Sequence, residues 1–263
     1  MRRMICVIPR ASPATNSGVL FRRLVAVALV AGLIGGLALS LAQRWQVIPI
    51  IVQAEKFESL KVSAGDAAQV ADDKHDKHDE DWKPSDGLER TLFTILSNVL
   101  TAIGFALVLV ALIAAASLKF GKNTEISTSS GIIWGLGGFI AFFAAPSFGI
   151  SPEIPGVSGA ALELRQWWWT ATVICSGAGL YLAYILSSPW KWLGLVVLLC
   201  APHIYGAPHA ENLYEGFPIA VADQLSELSK DFLLATGLSS LISWLVLGGF
   251  SGWAVRRYIH TET

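Results

Sequence analysis

The chain has 263 residues, 53% of them apolar and only 15% charged, with a net charge of −1. Soluble domains carry about 25% charged residues, so this composition excludes an ordinary water-facing globule, and the lack of a basic excess excludes nucleic acid as a partner. The cysteines Cys6, Cys175 and Cys200 form no CxxC or CxxxC pair, which leaves no thiolate metal motif.

Residues 1–18, with Pro9, Pro13 and Gly18, read as a disordered N-terminal extension. Leu20–Ala42 is then the first of five segments that match the ~20 apolar residues needed to cross ~30 Å of hydrocarbon. The others are Thr91–Leu118, Gly131–Ile150, Trp167–Leu186 and Phe232–Val255; a sixth, Trp190–Tyr205, is shorter and runs into Ala201-Pro202-His203. Arg22-Arg23, the first apolar run and Ser40-Leu41-Ala42 together have the form of a secretory signal. The run is longer than the usual ~7–15-residue signal core, so an uncleaved first helix is expected.

The expected fold is all-α: a polytopic membrane helix bundle over residues 19–257, of about six (five to six) transmembrane helices. Both termini are expected to be cytoplasmic, with residues 258–263 as a cytoplasmic tail. Charge supports six crossings. The inner segments then hold Arg2, Arg3, Arg10, Arg22 and Arg23, then Lys119 and Lys122, then Lys191, then Arg256 and Arg257. That is the basic inner bias of membrane proteins. All twenty acids except Glu125 and Glu262 fall on the outer side. Trp45, Trp167, Trp168 and Trp169 mark outer ends and Trp134, Trp190, Trp192 and Trp253 inner ends, as an aromatic belt does. The pairs Gly32/Gly36, Gly131/Gly135 and Gly248/Gly252 have the four-residue spacing that lets helix backbones approach. Ser97, Asn98 and Thr101 are expected to hydrogen-bond between helices.

Between the first two spans, residues 43–90 form the long hydrophilic segment of the chain, an outer loop. Its centre, Asp72 to Asp81, is too rich in charge to order itself by burial. It holds His75 and His78 among carboxylates, a composition that attracts divalent cations and offers nitrogen and oxygen ligands; the plainer reading is a solvated loop. Further polar residues stand at membrane edges: Gln53 and Glu55, Glu89 at the start of the second span, and Glu153 in Ser151–Gly156. Each has a structural reading as an interface anchor or helix-start carboxylate; together they form an acidic outer vestibule.

The most specific motif is a tandem repeat, Ala201-Pro202-His203 and Ala207-Pro208-His209, with Gly206 between. Proline removes a backbone donor and glycine permits a turn, so the sixth span breaks here. Imidazoles on a broken helix suit borderline divalent metals such as cobalt, nickel and zinc; the alternative is a proline-ended helix with two histidines among lipid headgroups. The middles of the spans hold almost no ionisable group, which argues against a self-contained ion-coupled pump. No phosphate-binding P-loop, G-x-S-x-G or H-E-x-x-H pattern occurs, so no enzyme activity and no cofactor are expected.

These features resemble the CbtA-type cobalt transporter subunits, from about Val19 to Arg257. The resemblance lies in Phe21-Arg22-Arg23-Leu24, Gln53-Ala54-Glu55, Asp86-Gly87-Leu88-Glu89-Arg90-Thr91-Leu92-Phe93 and Trp134 to Phe139. It continues in Ala145-Pro146, Pro152-Glu153-Ile154-Pro155-Gly156, Arg165-Gln166-Trp167-Trp168-Trp169 and the two Ala-Pro-His units. It implies a bacterial inner-membrane protein linked to cobalamin biosynthesis, with a single-span CbtB-type companion carrying its own histidine motif. It also implies His203, His209, Glu55, Glu89, Glu153 and Gln53 as candidate ion contacts. The expectation is therefore a membrane subunit that takes up Co²⁺. The rivals are an accessory subunit with no ion path of its own and a nickel or zinc carrier of the same architecture.

Overall fold

The computed structural model describes residues 13–69, 84–85, 87–120 and 126–258. Among them the chain is all-helical: α1 (Pro13–Gln46), α2 (Ile48–Gln69), α3 (Leu88–Phe120), α4 (Thr128–Ser147), α5 (Leu162–Ile185), α6 (Lys191–Tyr205) and α7 (Ile219–Tyr258). Four of these, α1, α3, α4 and α7, are long and apolar enough to cross a membrane. The 24-residue α5 has the length, but Trp167, Trp168, Trp169, Thr170, Thr172, Tyr181 and Tyr184 dilute its apolarity; α6 is apolar but has only 15 residues.

Glycine sets the packing. A Cβ on Gly32 would lie 2.4 Å from the Cα of Ile103, and one on Gly36 2.5 Å from the Cα of Val99, so α1 and α3 run antiparallel in backbone contact. Gly131 and Gly135 of α4 meet Gly248, Gly252 and the Trp244 carbonyl of α7 in the same way, with a Cβ on Gly131 falling 2.2 Å from the Gly248 oxygen. All three expected glycine pairs thus sit at interfaces. The buried faces Val27, Ala28 and Ala31 of α1, Ala106 to Ile113 of α3 and Trp244 to Val255 of α7 form one core. Ser243 donates to the Gly35 carbonyl at 3.0 Å, joining α7 to α1. Arg23 Nη1 donates to the Tyr258 carbonyl at 3.2 Å, which brings the start of α1 to the end of α7. We refer to this as the terminal end and to the opposite one as the far end. The first helix is a central member of the bundle, packed on α3 and α7. It begins at Pro13, inside the expected extension; residues 1–12 lie outside the described part.

Two elements depart from the sequence expectation. Residues 48–69, expected as loop, form α2. Val47, Ile50, Ile51, Ala54 and Phe57 recur at three- and four-residue intervals, and this stripe seats on Ile154, Leu225, Leu228 and Phe232 at the far end. Helix α7 starts at Ile219 rather than Phe232, and its 40 residues rise about 60 Å, twice the ~30 Å core of a bilayer. The leading half of α7 is the ledge on which α2 rests.

Helix α4 opens with a capping box in which Ser127 and Ser130 exchange side-chain and backbone bonds. It widens to a π-helix over Ile140–Ala144 before closing with Ala145–Ser147. Pro146 has no N–H for the Phe142 carbonyl and its ring crowds that turn, and the wider π turn relieves the conflict. Among the polar residues of α3, Asn98 Nδ2 donates to Ser40 Oγ (3.0 Å) and Gln43 Oε1 (2.7 Å) of α1. Ser97 and Thr101 are exposed.

Candidate functional site

Helix α6 carries Pro202 within it and stops at Tyr205, where Gly206 takes a φ of 99°. That conformation strains any residue with a Cβ. His203 therefore stays on the last turn of α6, while His209 lies beyond the break on irregular chain. The two imidazoles enter different surroundings. His203 is half-buried, and the ring of Trp168 meets it edge-on, centroids 5.4 Å apart. His209 is exposed and lines a cavity of about 290 Å³ at the far end.

Trp168 holds this corner together. Its side chain is buried, its indole N–H donates to the Pro202 carbonyl at 3.0 Å, and its ring packs where a Cβ on Gly149 would have to stand. The belt reading fits Trp45, Trp167, Trp190 and Trp192, which are all largely exposed, but not Trp168. Consecutive helical residues point 100° apart, so Trp167, Trp168 and Trp169 cannot all face lipid. That geometry was available from the triplet itself.

The cavity lies between the α4–α5 connection, the chain after α6, and the ledge of α7. Its polar lining includes Glu153, Ser158, His209, Tyr214, Ser226 and Lys230. The two connections are joined by the Ser158 N–H, which donates to the Leu213 carbonyl at 2.9 Å. Glu153 sits between Pro152 and the buried Ile154, and its Oε2 accepts from Arg165 Nη1 at 2.5 Å. This pair packs against Gly159, where a Cβ would fall 2.6 Å from the carboxylate. Lys230 donates to Glu227 one turn before it, at 2.7 Å.

The remaining candidates are placed elsewhere. Glu55 of α2 takes both Arg90 guanidinium nitrogens, one at 3.2 Å, and so ties α2 to the start of α3. Glu89 accepts from the Ser85 N–H at 3.2 Å and from the Ser85 hydroxyl, closing the turn that starts α3. Gln53 is exposed on α2. His75 and His78 lie outside the described residues. Glu55, Glu89 and Glu153, read from sequence as parts of an open acidic vestibule, are thus each held by a separate partner, Arg90, Ser85 and Arg165, and Glu153 and His209 are the two candidates that share a cavity. Among the described residues, no three of His, Cys, Asp and Glu come together as a metal-ligating group.

A larger cleft of about 570 Å³ opens between α3, α4 and α5 nearer the terminal end, lined by Phe105, Leu109, Trp134, Phe142, Tyr181 and Trp244, among others. Its walls are almost wholly apolar, so it offers a divalent ion nothing in exchange for lost hydration.

A family model described as "Probable cobalt transporter subunit (CbtA)" matches residues 21–256. The chain belongs to the CbtA family. No curated protein and no solved structure matches it. The matched range takes in every described candidate residue, from Gln53 to His209, and all seven helices apart from the two outermost ends. The CbtA-family chain has several membrane-type helices, and the cavity at its far end is lined by both Glu153 and His209.

Proposed function

We propose that this CbtA-family chain is the membrane subunit of a Co²⁺ uptake system of the bacterial inner membrane. In this reading it supplies cobalamin biosynthesis and works with a single-span CbtB-type companion. Six helices, α1 and α3 to α7, cross the bilayer with both termini in the cytoplasm. The observation that carries the reading is the shared far-end cavity of His209 and Glu153. An imidazole and a carboxylate are fitting ligands for a borderline divalent ion, and they stand at the far end, where α2 packs against Ile154. An inside-negative potential favours entry of a divalent cation by ~4.6 kcal/mol per 100 mV. His203, held against Trp168, is the secondary contact.

The test is cobalt accumulation in cells carrying single-alanine variants at matched membrane levels. His209→Ala should lose most uptake, and His203→Ala less. Equal uptake by His209→Ala and the parent chain would remove the cavity from the path. A nickel or zinc carrier keeps the same architecture, and competition in that assay separates the three metals. One observation favours an accessory role instead: the bundle is closed by glycine contacts and offers the ion no charged group in mid-span. That reading predicts no metal flux through the purified chain, with or without its companion.

A further inference from the structure

The far-end cavity is poorly shaped for a bare ion. At about 290 Å³ it has room for on the order of ten water molecules, whereas a dehydrated divalent ion needs less space than one. Its ligand supply is also short. A first-row divalent ion takes about four to six ligands, and no three of His, Cys, Asp and Glu come together among the described residues. His209 and Glu153, one of whose oxygens is taken by Arg165, are the metal-type donors that line this space. Whatever ion enters must therefore bring most of its own coordination shell.

The lining also contains a group that a naked cation avoids. Lys230 stands on α7 at the open rim of the cavity, its side chain 66% exposed, and its ammonium gives one N–H to Glu227, which leaves two further donors. Ser226 adds a hydroxyl on the same wall. The lining holds one carboxylate and one ammonium, Glu153 and Lys230, each paired with a neighbour, Arg165 and Glu227, so the cavity is close to neutral. One side thus presents metal ligands and another presents carboxylate-binding donors. A cavity with both faces is matched to a ligand with both faces.

We propose that the species bound here is a divalent metal already chelated by a small carboxylate ligand of the hydroxy- or amino-acid class. The metal meets His209 and Glu153, and the chelator's carboxylate meets Lys230. This rests on the reading of the cavity as the cobalt entry site and adds the chemical form of the cargo.

The experiment measures radiolabelled Co²⁺ bound to the full chain in lipid nanodiscs, at one buffered free Co²⁺ concentration, with and without citrate. Citrate should raise bound cobalt by up to about fivefold, the value of one solvent-exposed ion pair. Lys230→Gln should lose that increment, Lys230→Arg should restore it, and His209→Ala should lose cobalt in both conditions. If citrate leaves bound cobalt unchanged while binding still depends on His209, the cavity takes the hydrated ion and the chelate proposal falls alone. If binding is indifferent to His209 in both conditions, the entry-site reading falls with it. A citrate increment that survives in Lys230→Gln also overturns the proposal, because the chelate is then held elsewhere.

Discussion

The two ends of the molecule are built on opposite principles. Toward the terminal end, α1, α3, α4 and α7 touch through glycines at distances that exclude even a methyl group, and the core is filled by Ala, Leu, Val, Ile and Trp244. At the far end the chain opens into connections held by ion pairs, a buried indole and one backbone bridge around a polar cavity. Close backbone packing without a hydrophobic drive between helices is how a bundle holds together in lipid. Polar side chains in water-accessible connections are how a site can bind and release. The contrast teaches that the scaffold is specified by missing side chains and the site by present ones, so substitutions should act differently at the two ends.

The largest effect should come from filling a glycine contact. Gly248→Leu places a branched side chain where the backbones of Gly131 and Gly135 lie. Overpacking of this kind costs about 3 kcal/mol or more, and the check is collapse of the monodisperse fraction after detergent extraction. Next is Trp168→Ala, which empties the buried corner under α6 and should destabilise by about 3–5 kcal/mol. Trp168→Phe, which loses the bond to the Pro202 carbonyl and the part of the indole packed on Gly149, should cost less, about 1–3 kcal/mol. Thermal melts of the three proteins in one detergent read both numbers. Smaller again is Arg90→Gln, which breaks a half-exposed pair with Glu55 and should change stability by less than about 1 kcal/mol. Limited proteolysis of α2 is the more sensitive measurement for it, and faster cleavage is the expected result. If Gly248→Leu and Arg90→Gln proved equally costly, the contrast between the ends would collapse.

Much of the scaffold was legible before any coordinates. The six apolar runs all appear as helices, and Gly32/Gly36, Gly131/Gly135 and Gly248/Gly252 all mark interfaces, because a four-residue small-side-chain spacing has few other uses in an apolar helix. The break at Gly206 was legible for the same reason: Pro202, Gly206 and Pro208 act through the backbone alone. The far end was harder. Helix α2 was hidden because Val47–Val52 read as a short apolar run, although Ala54 and Phe57 complete its stripe. The carboxylates Glu55, Glu89 and Glu153 looked alike in sequence, and only their partners Arg90, Ser85 and Arg165 distinguish them. A pairing across 35 residues, such as Glu55 with Arg90, has no local periodicity to reveal it. His203 and His209 share one motif yet diverge in environment, since the chain turns between them.

The central claim is that cobalt enters through the cavity shared by His209 and Glu153. Its most direct test is potential-driven Co²⁺ entry into liposomes holding the purified chain with its companion, comparing the parent with His209→Ala and Glu153→Gln at equal, correctly folded incorporation. The account predicts inside-negative-dependent entry by the parent, with a loss on the order of tenfold in His209→Ala, the equivalent of one lost ligand contact of about 1.4 kcal/mol, and a smaller loss in Glu153→Gln. Entry at the parental rate in both variants would contradict it.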